Sequence, residues 1–142
     1  MKRFINRNVY RYRVVAKLEA GVLLTGAEVK AIRTRGIQLA ESTVQIKDGE
    51  AFLINATIPV YPFSTDRSYD PQSSRKLLLQ KRELSWLTAK RKEGLTIVPL
   101  SCYTTRRGWI KIKLGIGKIK KKVDRKRELI EKEAKREIKS YL

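Results

Sequence analysis

The chain has 142 residues, of which 42% are hydrophobic, and 33 Lys and Arg against 14 Asp and Glu give it a formal charge of +19. This length fits one domain with an extension, and the charge favours a partner that carries phosphates. The chain has no histidine and one cysteine, which excludes a Ser-His-Asp arrangement and an internal disulfide. No apolar run is long enough for a membrane span. We therefore expect a cytoplasmic, non-enzymatic protein that needs no metal or cofactor and binds no membrane.

The first 40 residues predict a strand followed by a helix. Apolar and aromatic residues alternate with mostly polar ones between Tyr10 and Leu18, which is the period of a half-buried strand. Thr25 stands three residues before Glu28, and this spacing predicts a capping box at the start of a helix. Gly36 is well placed to end that helix.

The middle of the chain predicts a hairpin and then a long surface loop. Asp48-Gly49 is a strong turn signal, and it joins the predicted strands Thr43–Lys47 and Glu50–Asn55. The polar stretch from Ser64 to Ser74 predicts a mobile loop at the surface. Basic residues at Arg75 and Lys76 then lead into a buried apolar segment.

The last part of the body predicts a helix and two more strands. The helix begins at Lys81 and ends near Gly94, which serves as its C-cap. The strands Leu95–Thr104 and Trp109–Leu114 follow it, and Cys102 is expected to be a buried strand residue rather than a nucleophile.

Basic residues form a stripe along the final predicted strand and in the turn before it. Lys111 and Lys113 alternate with apolar residues, so one face of the strand is core and the other is cationic. Arg106 and Arg107 lie in the turn at the end of this stripe. Contact with phosphates is the favoured interpretation, and a merely solvated face is the alternative.

Residues 118–142 differ in composition from residues 1–117. They hold 11 Lys and Arg against 5 Asp and Glu, a net charge of +6, without a single Pro or Gly. Their apolar positions are too few for a continuous buried stripe. We expect this basic tail to be disordered alone and to become a helix when a polyanion neutralises it, although a solvated charged helix is the simpler alternative.

Six or so short strands, Gly-rich turns and flanking helices suggest a mainly β fold, a small closed antiparallel barrel with helices packed outside. Several motifs lie in one order along the chain: Leu18-Glu19-Ala20-Gly21, Leu24-Thr25-Gly26-Ala27-Glu28-Val29-Lys30, Gly49-Glu50-Ala51-Phe52-Leu53, Asp70-Pro71 followed by Arg75-Lys76-Leu77-Leu78-Leu79, Gly108-Trp109-Ile110-Lys111, and the basic tail. In these motifs the chain resembles the SsrA-binding protein family, the partners of transfer-messenger RNA (tmRNA). The resemblance implies an oligonucleotide-binding (OB)-like barrel with about three flanking helices.

The resemblance also implies a function and a set of RNA contacts. The barrel would bind the tRNA-like domain of tmRNA as a monomer, and the family's RNA-binding positions fall on Asn6, Glu19, Leu78 and Lys111. Each has a plain alternative. Asn6 could cap a turn, Glu19 could be a turn-forming acid, and Leu78 could belong to the core.

For the tail, the resemblance implies entry into the empty decoding centre and mRNA channel of a stalled ribosome. The residues expected to bind the ribosome are Lys118, Lys120, Lys121, Lys122, Val123, Asp124, Arg125 and Lys126. The tail departs from the family pattern at three points. Asp124-Arg125-Lys126 replaces a usual Asp-Lys-Arg, which keeps the charges, and two single residues differ. Ile119 replaces a usual Gly, and Val123 replaces a usual aromatic or His, so Val123 cannot stack on a base as a flat ring would.

The expected function is therefore ribosome rescue by trans-translation. The main alternative is a ribosomal or ribosome-assembly protein that holds rRNA permanently. A general single-strand-binding module would need exposed aromatic residues, and a phosphodiester enzyme would show turnover with magnesium.

Overall fold

In a computed structural model, residues 2–120 are described, and they form seven β-strands and two α-helices. In chain order, the elements are β1 (Arg3–Ile5), β2 (Tyr12–Val22), α1 (Gly26–Arg35), β3 (Thr43–Lys47), β4 (Glu50–Ile54), β5 (Arg75–Leu78), α2 (Lys81–Lys92), β6 (Thr96–Thr104) and β7 (Ile110–Ile119). A 3-10 turn, Val9–Arg11, lies between β1 and β2. The predicted mainly β, antiparallel class is confirmed.

The strands form one sheet in the order β1-β6-β7-β2-β5-β4-β3. The prediction of a closed barrel is wrong, because closure would require β1 to pair with β3, and the two stand at opposite ends of this order. β1 is only three residues long and already pairs with β6. It therefore offers little backbone for a further pairing with β3. β3 and β6 have Cα atoms within 8 Å of each other, but no ladder joins them.

The prediction of about three flanking helices is also wrong, because the described part of the chain contains two α-helices. The residues before β2 form a short strand and a 3-10 turn instead of a further helix. No helix within residues 2–120 is long and apolar enough to cross a membrane. The tail, residues 118–142, is predicted to be disordered alone and helical when bound. Lys118 and Ile119 instead belong to strand β7, and residues 121–142 lie outside the described residues.

The local signals for α1 and for the β3–β4 hairpin are confirmed. At the start of α1, Thr25 Oγ1 accepts from Glu28 N at 3.1 Å, and Glu28 Oε1 accepts from Thr25 N at 3.1 Å, which is a complete capping box. Gly36 follows the helix with a φ of +89°. Asp48 and Gly49 have φ angles of 52° and 73°, as the hairpin turn requires.

The core lies between the inner face of the sheet and the two helices. α2 begins at Lys81 as predicted, and it buries Leu87. Ile112 and Leu114 of β7 and Cys102 of β6 are fully buried, so the prediction for Cys102 is confirmed. Burial raises the pKa of the Cys102 thiol to about 12, which keeps it protonated and unreactive.

β7 runs to Ile119, five residues past its predicted end at Leu114. Two glycines make this possible. A Cβ on Gly117 would lie 2.0 Å from the Arg13 carbonyl oxygen, and one on Gly115 would lie 2.7 Å from Leu100 Cδ2. At position 117 only glycine fits, because the clash is with backbone, whereas at position 115 a larger residue would have to displace the Leu100 side chain. The division of the chain into units 1–117 and 118–142 stays a prediction.

Arg75 ties the long loop between β4 and β5 to α1. Its guanidinium is buried, and Nε donates to Glu28 Oε2 at 2.7 Å. Nη1 donates to the carbonyl of Ala56 at 2.8 Å, and Nη2 to the carbonyl of Pro71 at 2.9 Å and to Tyr69 Oη at 3.1 Å. The stretch from Ser64 to Ser74 lies at the surface without a helix or strand, as predicted. The bonds from Arg75 to Tyr69 and Pro71 hold two of its residues, and its mobility stays a prediction.

Candidate nucleic-acid interface

A row of outward-facing residues crosses five strands of the sheet. The register pairs Arg3 with Tyr103, Tyr103 with Lys111, Lys111 with Gly21, and Gly21 with Leu78. Directly opposed residues of antiparallel strands share one face, so these side chains project to the same side. A second row places Lys113 directly opposite Glu19. Residues far apart in sequence therefore form one surface, which we call the outer face.

An ion pair lies at the centre of the outer face. Lys111 Nζ lies 3.1 Å from Glu19 Oε1, and their side chains are 41% and 52% exposed. Hydrogen bonds from the Tyr103 hydroxyl and from Lys111, together with the charges of Lys111 and Lys113, lower the pKa of Glu19. The carboxylate is therefore ionised, held by its neighbours and still open to solvent.

Tyr103 completes this arrangement. Burial, a hydrogen bond to Glu19 and the Glu19 charge raise the pKa of the Tyr103 phenol to about 12. The guanidinium of Arg3 lies 5.7 Å from the centre of the Tyr103 ring, at cation–π distance. The tyrosine thus links the carboxylate to a further positive charge on β1.

An open groove of about 550 Å³, which we call the β2–β5 groove, lies next to the ion pair. It is lined by Glu19, Gly21 and Lys111, by residues 76–80, and by Glu83. Leu78 is 51% exposed and packs beside Gly21, where an added Cβ would lie 3.3 Å from Leu78 Cβ. Glycine at position 21 keeps the groove open and lets a ligand approach the backbone closely.

Three of the four positions implied by the resemblance therefore meet in one place: Glu19, Leu78 and Lys111 all line the β2–β5 groove. The sequence left open whether Leu78 is core or surface, and the side chain lies at the surface. Lys113 adjoins the groove as the register partner of Glu19. The RNA-binding role of these residues stays a prediction.

Asn6 does not join them. Its side chain is buried, with Nδ2 donating to the carbonyl of Pro99 at 2.8 Å and Oδ1 accepting from Asn8 N at 2.9 Å. Its backbone N also donates to the carbonyl of Leu100 at 2.9 Å. This geometry fits the turn-capping alternative, and an RNA contact by Asn6 stays a prediction.

Arg106 and Arg107 are exposed in the turn between β6 and β7. The turn is fixed against α1, because Arg33 Nη2 donates to the carbonyl of Gly108 at 2.7 Å. Trp109 follows the turn and is 66% exposed. It lies immediately before β7, two residues ahead of Lys111.

Several residues of the outer face were not assigned to it from the sequence. The alternation of Trp109, Lys111 and Lys113 is a signal that could have assigned Trp109 to the cationic face. Arg3, Gly21 and Tyr103 carry no such signal. Their position depends on the pairing of distant strands.

Of the predicted tail residues, Lys118 and Lys120 are described. Lys118 is exposed on β7 opposite Arg13, and Lys120 N donates to the Arg11 carbonyl at 2.8 Å. The predicted sites from Lys121 to Lys126 lie outside the described residues. Within residues 2–120, no group of three or more His, Cys, Asp or Glu could hold a metal ion.

The fold and the outer face together define a class: a basic, mainly β protein whose outer face carries exposed cations beside an open groove, an arrangement suited to a nucleic acid. Comparison with known proteins narrows this class. The sequence model of the SmpB protein family matches residues 4–142. The chain belongs to the SmpB family.

Individual relatives agree with this. The SsrA-binding protein of Thermosipho africanus is 40% identical over 139 residues, covering 96% of this chain and 93% of the relative. That of Chlamydia pneumoniae is 39% identical over 135 residues, covering 94% and 89%. A solved structure described as "tmRNA-SmpB: a journey to the center of the bacterial ribosome" matches with a TM-score of 0.70 and 37% identity, over 84% of this chain and 85% of that chain.

Proposed function

We propose that this chain binds tmRNA, through its tRNA-like domain, and acts in trans-translation on stalled ribosomes. Its relatives carry the name SsrA-binding protein, and the matched structure concerns tmRNA and SmpB at the bacterial ribosome. The observation that carries the proposal is the β2–β5 groove, where Glu19, Leu78 and Lys111 line one open surface.

The groove offers three kinds of contact to a folded RNA. Lys111 and Lys113 supply positive charge for phosphates, which gives affinity without sequence selection. Leu78 is an exposed apolar side chain that can pack on a ribose or a base. Gly21 lies between Leu78 and Lys111 in the strand register, and its lack of a side chain allows the RNA to come close to the sheet.

Glu19 gives the groove selectivity. A carboxylate has about four acceptor positions, and Lys111 and Tyr103 use only part of this capacity. The remaining positions can accept from base amino or imino groups, whereas a phosphate in the same place would be repelled. The groove therefore favours an RNA that presents a base edge between its phosphates.

The tail and the ribosome complete the proposal. The part of the tail beyond the end of β7 would occupy the decoding centre and mRNA channel of a ribosome that lacks a codon, guided by the net charge of +6 that residues 118–142 carry. The protein would act as a non-enzymatic, monomeric factor in the cytoplasm, where ribosomes work. It would carry no cofactor.

The experiment separates the body from the tail. A stop after Lys120 leaves β7 intact to Ile119 and keeps the Lys120–Arg11 backbone bond. We expect this truncated protein to bind the tRNA-like domain of tmRNA like the full chain, and to fail in peptide tagging on stalled ribosomes. Loss of RNA binding with a folded body would contradict the two-part scheme.

A salt wash of ribosomes tests the alternative of a ribosomal or assembly protein. A rescue factor should leave ribosomes at high salt, whereas a permanent rRNA-binding protein should stay. Sequencing of RNA bound in cell lysate should then show one dominant stable RNA. A broad mixture would contradict the proposal.

A further inference from the structure

A second groove opens beside the first half of α2. It has a volume of about 350 Å³ and is lined by Lys17 and Leu18 of β2 and by Arg82, Glu83 and Trp86 of α2. We call it the Trp86 groove. Glu83 lines both grooves, and Lys17 stands two residues before Glu19 on the exposed side of β2. The Trp86 groove and the β2–β5 groove are therefore neighbours that share Glu83 as a lining residue.

Its chemistry combines a flat ring with positive charge. Trp86 is 37% exposed, so part of the indole faces solvent instead of the core. Lys90 Nζ lies 5.8 Å from the centre of the ring, and Lys17 and Arg82 are exposed at the rim. Glu83 is the acid of the groove, and its Oε1 accepts from Gln80 N at 2.9 Å in the cap of α2.

This combination fits a nucleotide better than an apolar peptide. Aromatic rings next to cations are the recurring platform for unpaired bases, because the base stacks on the ring while the cations meet the phosphate. The volume lies at the low end of the range for small-molecule pockets, which suits one nucleotide.

We infer that the Trp86 groove holds one unpaired nucleotide of the RNA that occupies the β2–β5 groove. Its base stacks on Trp86, and its phosphate lies between Lys17 and Arg82. This inference depends on the proposed function, because the same RNA molecule must fill both grooves.

The test compares variants of the full chain in binding to the tRNA-like domain. Trp86→Leu should weaken binding by about 5- to 100-fold, the usual effect of losing one base–aromatic stack. Trp86→Phe keeps a ring and should stay within a few-fold of the natural protein. Phe63→Leu is the matched control: Phe63 is 82% exposed and lines neither groove, so affinity should not change.

Abasic substitutions in the RNA show whether a base is the ligand. At one unpaired position, removal of the base should weaken binding to the natural protein by the same factor as Trp86→Leu. The Trp86→Leu protein should bind the abasic RNA as well as it binds the intact RNA, because this protein has already lost the stack.

Three results would overturn the inference while leaving the proposed function standing. The first is an unchanged affinity of Trp86→Leu for the RNA. The second is an equal loss of affinity in Trp86→Leu and Trp86→Phe together with a lower melting temperature. The third is that no abasic position weakens binding to the natural protein while leaving binding to Trp86→Leu unchanged. If the natural protein itself does not bind the tRNA-like domain, the proposed function fails and the inference fails with it.

Discussion

The protein contains two groups, each made of a cation, a carboxylate and a tyrosine, in opposite surroundings. The buried triad consists of Arg75, Glu28 and Tyr69, and the exposed triad consists of Lys111, Glu19 and Tyr103. In each, a cation and a tyrosine hydroxyl contact one carboxylate. The side chains of the buried ion pair are 2% and 6% exposed, against 41% and 52% for the exposed pair.

This difference in exposure assigns different roles to the two triads. In the buried triad, every hydrogen bond of the Arg75 guanidinium goes to protein atoms of α1 or of the loop after β4. A charge that has left water must be fully paired, so this triad serves the fold. The exposed triad keeps part of its hydrogen-bonding capacity in water, and it is free to meet a ligand.

The largest effect should come from breaking the buried triad. Arg75→Met leaves Glu28 buried without its cation, and loss of one partner of such a pair costs about 3–5 kcal/mol. Urea unfolding should show this loss. Lys76→Met is the matched control, because Lys76 pairs with Glu50 at the surface and its loss should cost under about 1 kcal/mol. An equal loss of unfolding free energy in the two variants would contradict a structural role specific to the buried triad.

Removing the cation of the exposed triad should affect RNA and not the fold. Between about 50 and 200 mM salt, affinity for the tRNA-like domain should fall by about 10³-fold or more if roughly 6–10 phosphates are contacted. Lys111→Ala should lower the slope of this salt dependence by about one unit, because one contact is lost. Lys47→Ala, exposed on β3, should leave the slope unchanged. An unchanged slope for Lys111→Ala would make Lys111 a solvated residue.

The carboxylate of the exposed triad gives the next test. Glu19→Gln removes a negative charge, so long-range attraction alone would strengthen RNA binding. We expect weaker binding to the tRNA-like domain, because a charge-assisted hydrogen bond contributes about 1.5–3 kcal/mol when water is excluded. Unrelated RNA and the melting temperature should be little affected. Tighter binding to both RNAs would show that Glu19 makes no specific contact.

The smallest effect concerns the Tyr103 phenol. Because folding raises its pKa from 10.0 to about 12, the neutral phenol stabilises the fold below pH 10, and this contribution is lost as the pH rises towards 12. Glu19→Gln should lower the pKa of Tyr103 while burial keeps it above its ordinary value. Phenolate absorbance, with Tyr103→Phe as the reference, measures this shift. An unchanged pKa of Tyr103 in Glu19→Gln would show that Glu19 does not contact Tyr103.

The sequence predicted those parts of the molecule that depend on neighbouring residues. The capping box of Thr25 and Glu28 and the Asp48-Gly49 turn are local, since each needs only a few residues to form its bonds. The sequence could not predict whether the sheet closes, because closure depends on pairing between β1 and β3, which are distant in the chain.

The candidate site shows the same limit. Leu77-Leu78-Leu79 has no alternation, so only the structure shows that Leu77 is buried and Leu78 half exposed. The resemblance supplied Glu19, Leu78 and Lys111, but their meeting at Gly21 follows from the register of three strands. In the sequence, Arg75 cannot be distinguished from its basic neighbour Lys76. Its burial is explained only by the hydrogen-bond partners that α1 and the loop supply.

Photo-crosslinking tests the central claim most directly, the claim that the exposed triad and Leu78 form the RNA surface. A photoreactive phenylalanine analogue is placed at Leu78 in one protein and at Phe63 in another, and each is irradiated with the tRNA-like domain of tmRNA. Both positions are exposed, but only Leu78 lines the β2–β5 groove. We predict a crosslink from position 78 to one site in the RNA and none from position 63. A crosslink from position 63 alone would contradict the account.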